Sequence, residues 1–248
     1  MTNDSSSIKP VNPAANLWDI VTAPSLALER VSTIQTRSWW LPALLALIAP
    51  ILHIALTLDL QIERIESNIA LRLSVMPAEQ ANAARPMMER MLQPNVLLFS
   101  TFTQVAVGLL LSWALAMLIL YFGIALLGKP PKSAGLWSAI IWAWIPFAIR
   151  PLVQLAWNAY THSLVYNPGA TYFVATGNVV EDQQNPLYVA ATQIDMFSVW
   201  HIILIYVLLR VVGKLGRGGS LFMTALYMIL MLGIHVLPSI LTKLAGAE

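Results

Sequence analysis

The chain has 248 residues, of which 58% are hydrophobic and 10% charged, with a net charge of +2 and no cysteine. An ordinary globular chain is roughly 45–50% apolar and roughly 25% charged; this one has too few charges to cover a water-facing surface and too much apolar material to stay disordered. The missing cysteines exclude disulfides, thiolate metal sites and thiol catalysis, and the small net charge without a basic stripe argues against a nucleic-acid partner.

Residues 1–13 begin with polar MTNDSSS and hold no early apolar core. They read as a disordered tail without a cleavable signal peptide, so the first span must act as its own insertion signal. Residues 14–37 predict an interfacial amphipathic helix. Leu17, Trp18 and Val21, then Leu28, Val31 and Ile34, recur at helical spacing, and Pro24 starts a second piece. Such a helix lies on a leaflet with its apolar face down. It serves either as a lead-in to the first span or as a docking surface for a cytosolic partner. Glu29 and Arg30 are expected in solvent.

Residues 38–245 read as an all-α, polytopic membrane domain. Spans of about 20 apolar residues fall near 39–58, 99–127, 136–157, 196–212 and 221–241. The second is long for one crossing, and its end with Ser100, Thr101, Thr103 and Gln104 should project from the bilayer. Residues 59–93 predict an outer helical hairpin that packs on itself or on a second copy of the chain. It has one stripe of Leu58, Ile62, Ile65 and Ile69, breaks at Pro77 and Pro86, and a patch of Met87, Met88 and Met91 expected as core. The outer loop 158–195 is turn-rich; a capping loop and a re-entrant segment both remain open for it.

Lys and Arg in short loops set orientation. Lys129 and Lys132 follow the second span, and Arg210, Lys214 and Arg217 follow the fourth, in both cases without an acid. The loop 158–195 has no Lys or Arg but carries Glu181, Asp182 and Asp195. The amino terminus is therefore expected in the cytoplasm and the carboxyl terminus outside. In 59–93, Arg64, Arg72, Arg85 and Arg90 interleave with acids and dissent only mildly.

Ionisable groups within spans are costly and are functional candidates by default. Placed by distance from the inner span ends, His53, Arg150, His201 and His235 share one layer. Asp195 lies about 9 Å outward of His201 along a helix, and Gln154 is one turn from Arg150 on the same face. A buried arginine needs an anion, which predicts an Arg150–Asp195 pair in fork geometry, supported by Gln154. The layer either lines a wet cavity, with Pro50, Pro146, Pro151 and Pro238 loosening the helices around it, or fastens helices together. Three histidines would form a metal site only if they converged. The stretch GKLGRGGS at 213–220 has neither the preceding strand nor the Gly-Lys-Ser/Thr ending of a phosphate loop; it reads as a basic turn facing lipid head groups. No span holds paired carboxylates, and no acyl-transfer motif occurs. Neither an enzyme nor a cofactor is expected.

Three stretches carry a family resemblance. PSLALERV leads into Trp39, Trp40, Leu41 and Pro42. YFGIALLGKPPKSAGLWSAIIWAWIPFAIRPLVQLAW covers the second and third spans, and IDMFSVWHIILIYVLLRVVGKLGRGGSLFMTALYMI the fourth and fifth. Over roughly residues 20–245 the chain resembles the Yip family, the Ypt/Rab-GTPase-interacting membrane proteins, in its short prokaryotic form. The resemblance implies a five-span domain with the amino terminus in the cytosol, placed in the cytoplasmic membrane of a prokaryote. Eukaryotic members act between endoplasmic reticulum and Golgi and bind Rab GTPases and each other. This chain departs from them in having no Asp-Leu-Tyr-Gly-Pro motif and no long cytosolic amino-terminal region.

The expected function is a non-enzymatic membrane scaffold or adaptor that meets the lipid bilayer, an unidentified membrane or cytosolic protein, and in some forms a second copy of itself. The alternative is a small carrier or channel for a polar solute or lipid, built around Arg150. In a scaffold, Arg150→Ala should destabilise, reversal of the Arg150–Asp195 charges should restore stability, and changes at Leu28 and Val31 should release partners.

Overall fold

A computed structural model describes residues 12–33 and 38–245. Residues 1–11 of the expected tail and Ile34 of the expected interfacial helix lie outside them. The tail's last two residues instead start a helix: Asn12 caps α1 (Pro13–Thr22), its side chain accepting from the Ala14 and Ala15 amides, and Pro13 occupies the first turn. Among the described residues every regular element is helical.

The segment expected to lie flat on a leaflet is a hairpin of α1 and α2 (Pro24–Thr33), and one face of its second arm is buried in the bundle. Ala27, Leu28 and Val31 are essentially inaccessible. They pack against α7 (Ser133–Ala143) and α11 (Met196–Val211). Gly135 of α7 lies against the Ser32 backbone so closely that a Cβ there would collide with the Ser32 carbonyl. Burying a Leu or Val contributes about 1.5–3 kcal/mol, and that apolar stripe found its cover in the bundle. Arg30, expected in solvent, instead reaches back to Asp19 of α1 (2.6 Å) and to the buried Asn16 (3.3 Å). The exposed large apolar residues of the hairpin are Trp18, Val21 and Leu26.

Four further segments carry the long apolar runs. α3 (Trp40–Leu56) bends by 78° into α4 (Leu58–Ser74). α6 (Pro94–Leu127) has 34 residues, about 51 Å at about 1.5 Å per residue, well beyond an apolar layer about 30 Å thick. α7 continues into α8 (Ile145–Thr161), and α12 (Arg217–Ala245) ends the described chain. Among the described residues three segments are long and apolar enough to cross a membrane, Pro94–Leu127, Ser133–Thr161 and Arg217–Leu244; there are four if the bent α3–α4 pair is one span. α11 is apolar but has only 16 residues. Pro50, Pro151 and Pro238 lie inside continuous helices; only Pro146 sits at a break.

The α7–α8 segment is the centre of the bundle. Residues 138–146 are buried without interruption. α7 packs on α2, α6 and α11, and α8 packs on α3 and α11. The turn between α6 and α7 and the turn between α11 and α12 meet at one end: a Cβ on Gly128 would sit 3.2 Å from Leu215, and one on Gly213 3.1 Å from Ile124. In the second turn Lys214 adopts a left-handed conformation (φ 52°), and the Arg210 guanidinium bonds the Leu215 carbonyl. Arg210 is thus tied to the turn itself.

At the opposite end, α4 and α5 (Ala78–Arg90) form the expected hairpin, but it packs lightly. No residue of α4 is buried, and only Ala81 of α5 is. Pro77 precedes α5 as a break, whereas Pro86 lies within it. Met87 and Met91 are exposed, contrary to their expected place in a core; among the described residues no element covers that face. Between α8 and α11 the chain forms a 3-10 turn (Gly169–Phe173), α9 (Val179–Gln184) and α10 (Pro186–Ala191). α9 and α10 pack against α12, and buried Asp182 holds the connection by accepting from the Thr176 amide and hydroxyl, both at 2.9 Å.

Candidate functional site

The geometry of the site begins with Pro146. A proline cannot donate to the carbonyl four residues back, and here the Phe147 amide turns to Trp144 (3.0 Å) while the Trp144 amide turns to Ile141 (3.1 Å). The helix breaks, and Ala143 O loses its helical donor. His201 of α11 supplies the replacement: its Nδ1 is 2.8 Å from Ala143 O. A carbonyl only accepts, so Nδ1 carries the proton and Nε2 is the acceptor. The Tyr227 hydroxyl of α12 donates to that Nε2 at 3.0 Å. Trp144, Phe147 and Tyr227 surround the imidazole, with centroids 4.5, 4.8 and 5.8 Å away. Three helical segments are thereby fastened at one buried ring.

Arg150 lies one turn beyond Phe147. Its Nη2 contacts both Asp195 oxygens, at 2.9 and 2.8 Å, and the Ser198 hydroxyl at 3.2 Å. One nitrogen meets both oxygens, so the contact is not the expected two-nitrogen fork. The Arg150 guanidinium also lies over the Phe147 and Phe197 rings, 4.9 and 5.8 Å from their centroids. Asp195 has a second duty. It is the N-cap of α11, accepting from the Ser198 amide and hydroxyl, each at 2.8 Å. Arginine at 195 could not accept those bonds, so reversing the two charges would break the cap and not restore stability.

Gln154, expected to support the pair, makes no hydrogen bond to it; Ser198 takes that place. Gln154 instead lines a cavity of about 280 Å³, together with His53 and Asn158. With its amide nitrogen toward Ser163 O (2.8 Å) and Gln154 O (3.2 Å), Asn158 accepts from His53 Nε2 at 2.9 Å. His235 belongs to neither group: it is exposed on α12 and bonds Met231 O of its own helix at 2.7 Å. The layer inferred from depth therefore separates into a helix-bridging cluster (Arg150, Asp195, His201), a cavity-facing pair (His53, Gln154) and an outlier. The reason is rotational, since depth fixes height along a helix and not the face. Among the described residues no three His, Asp or Glu groups converge as metal ligation needs.

Three members of these clusters were not foreseen. Ser198 follows Asp195 by three residues, an N-cap spacing that the sequence displays. Asn158 continues the i, i+4 series of Arg150 and Gln154. Tyr227 has no local signal, because its role comes from the packing of α12 on α11. No protein-family model, curated protein or solved structure matches the chain.

Proposed function

We propose that the chain is a five-crossing membrane protein of the Yip family that organises membrane partners and catalyses no reaction. The crossings are α3, α6, α7–α8, α11 and α12, in the cytoplasmic membrane of a prokaryote. The observation that carries this reading is that the polar groups of the bundle bridge its helices: Arg150 Nη2 joins α8 to Asp195 and Ser198, and His201 joins α11 to Ala143 O and Tyr227. Groups engaged in this way fasten helices.

The orientation is supported by the end of the bundle where the two basic turns meet, which carry Lys129, Lys132, Lys214 and Arg217; Ser32 of α2 meets α7 at Gly135, three residues after Lys132. By the charge bias of short loops this end faces the cytosol, and the α4–α5 hairpin and α9–α10 face outward. The carrier reading has one observation in its favour, the cavity beside His53 and Gln154. That cavity is not lined by Arg150, so the buried cluster would not serve as its substrate site.

The surface left for partners at the cytosolic end includes Trp18, 70% exposed, and Leu26. Leu28 and Val31 are unsuitable for probing partners because their replacement would unpack α2. The test is affinity purification from native membranes with identification of bound proteins and small molecules. Retention of a stoichiometric protein by the wild type, and its loss in Trp18→Ala/Leu26→Ala at unchanged thermal stability, is the expected result. A particle carrying only a polar solute, released by a folded Arg150 variant, would overturn the reading in favour of a carrier.

A further inference from the structure

The cavity beside Asn158 lies where α3 bends into α4, against the last turns of α8. It is about 280 Å³ in volume, close to the lower end of small-ligand sites. Its charge is one-sided. Arg64 lines it and no aspartate or glutamate does. Among the described residues Arg64 has no ion-pair partner. Its guanidinium rests on the Tyr166 ring, 5.1 Å from the centroid, a contact that fixes the group without using its N–H donors. The Gln154 amide lines the same cavity and adds a second donor. His53 and Asn158 satisfy each other at its floor.

The height of the cavity narrows the ligand class, and this step rests on the membrane reading above. α3 is apolar from Trp40 to Leu56, whereas α4 begins with Asp59, Glu63, Arg64 and Glu66. The cavity sits at that change. Trp157 and Tyr160, on the last turns of α8, are 54% and 83% exposed, as side chains at a membrane–water boundary are. The abundant anion at that depth is phosphate, and a guanidinium with free N–H donors is suited to it. We propose that this cavity binds a phosphate group, of a phospholipid headgroup or of a soluble phosphate compound, through the Arg64 guanidinium with Gln154 as second donor.

The test uses the full chain in mild detergent. Native mass spectrometry measures retention of added phosphatidylglycerol against diacylglycerol, which lacks the phosphate, and calorimetry titrates inorganic phosphate. The wild type should retain one phosphatidylglycerol and release diacylglycerol. Arg64→Gln should weaken retention about tenfold or more, as loss of a charge-assisted bond does. Gln154→Leu should weaken it severalfold, and Arg85→Gln, on exposed α5, should leave it unchanged. Binding of inorganic phosphate that depends on Arg64 and competes with the lipid assigns the site to a soluble phosphate; Arg64-dependent binding of the lipid alone assigns it to a headgroup. Equal retention by wild type and a folded Arg64→Gln protein, or equal retention of diacylglycerol and phosphatidylglycerol, overturns the proposal.

Discussion

Arg150→Ala is expected to destabilise the protein by about 3 kcal/mol, the low end of the ~3–5 kcal/mol seen when one member of a buried ion pair is removed. The low end applies because 28% of the Arg150 side chain remains accessible, against 12% for Asp195. The loss has two sources. Asp195 keeps its cap bonds to Ser198 but no longer has a counter-charge, and the Phe147 and Phe197 rings lose the guanidinium that lay over them. Asp195→Asn should be milder, since an asparagine oxygen still caps α11. Arg150→Asp/Asp195→Arg should be no more stable than Arg150→Ala. Thermal unfolding of purified variants in detergent measures all three, and recovery to wild-type stability by the reversed pair would show that the cap contributes little.

His201→Ala should cost a comparable amount, about 3 kcal/mol. It leaves a cavity among Trp144, Phe147 and Tyr227 and strands Ala143 O and the Tyr227 hydroxyl. Tyr227→Phe removes only the bond to Nε2, and interhelical bonds within membranes average about 0.6 kcal/mol, so its effect should be several times smaller. In the double variant the Tyr227 bond is already gone, and the two losses should be less than additive. The same unfolding measurement reads this cycle; full additivity would mean that the His201–Tyr227 bond carries no energy.

Much of this architecture is legible in the sequence because length and apolar content act along one dimension. The helices of α6, α7–α8 and α12 follow from their long apolar runs, and the helix start at Pro24 follows from proline's fit to a first turn. The Arg150–Asp195 contact is foreseeable because the chain has few acids at span ends. What escapes is rotational or tertiary. Leu28 and Val31 form an apolar stripe that would suit a leaflet, a partner or a bundle, and only the small surface of Gly135 indicates that the bundle accommodates α2. His235 matches the other histidines in depth but points away from the bundle. The hydrogen bond of Tyr227 depends on where α12 packs, and no spacing rule encodes that.

The break beside Pro146 also bears on biosynthesis. When the segment that becomes α7–α8 leaves the ribosome, it carries an open carbonyl at Ala143 and a charge at Arg150, and the groups that satisfy them, His201 and Asp195, are still to be made. A lone arginine inside a bilayer costs several kcal/mol, so this segment should wait at the insertion machinery until α11 arrives and then enter lipid with it. A chain stopped at residue 165 should stay crosslinkable to the insertion machinery or be degraded, and extension through residue 212 should release it. Release of the shorter chain into lipid at the same rate would show that the α7–α8 segment inserts alone.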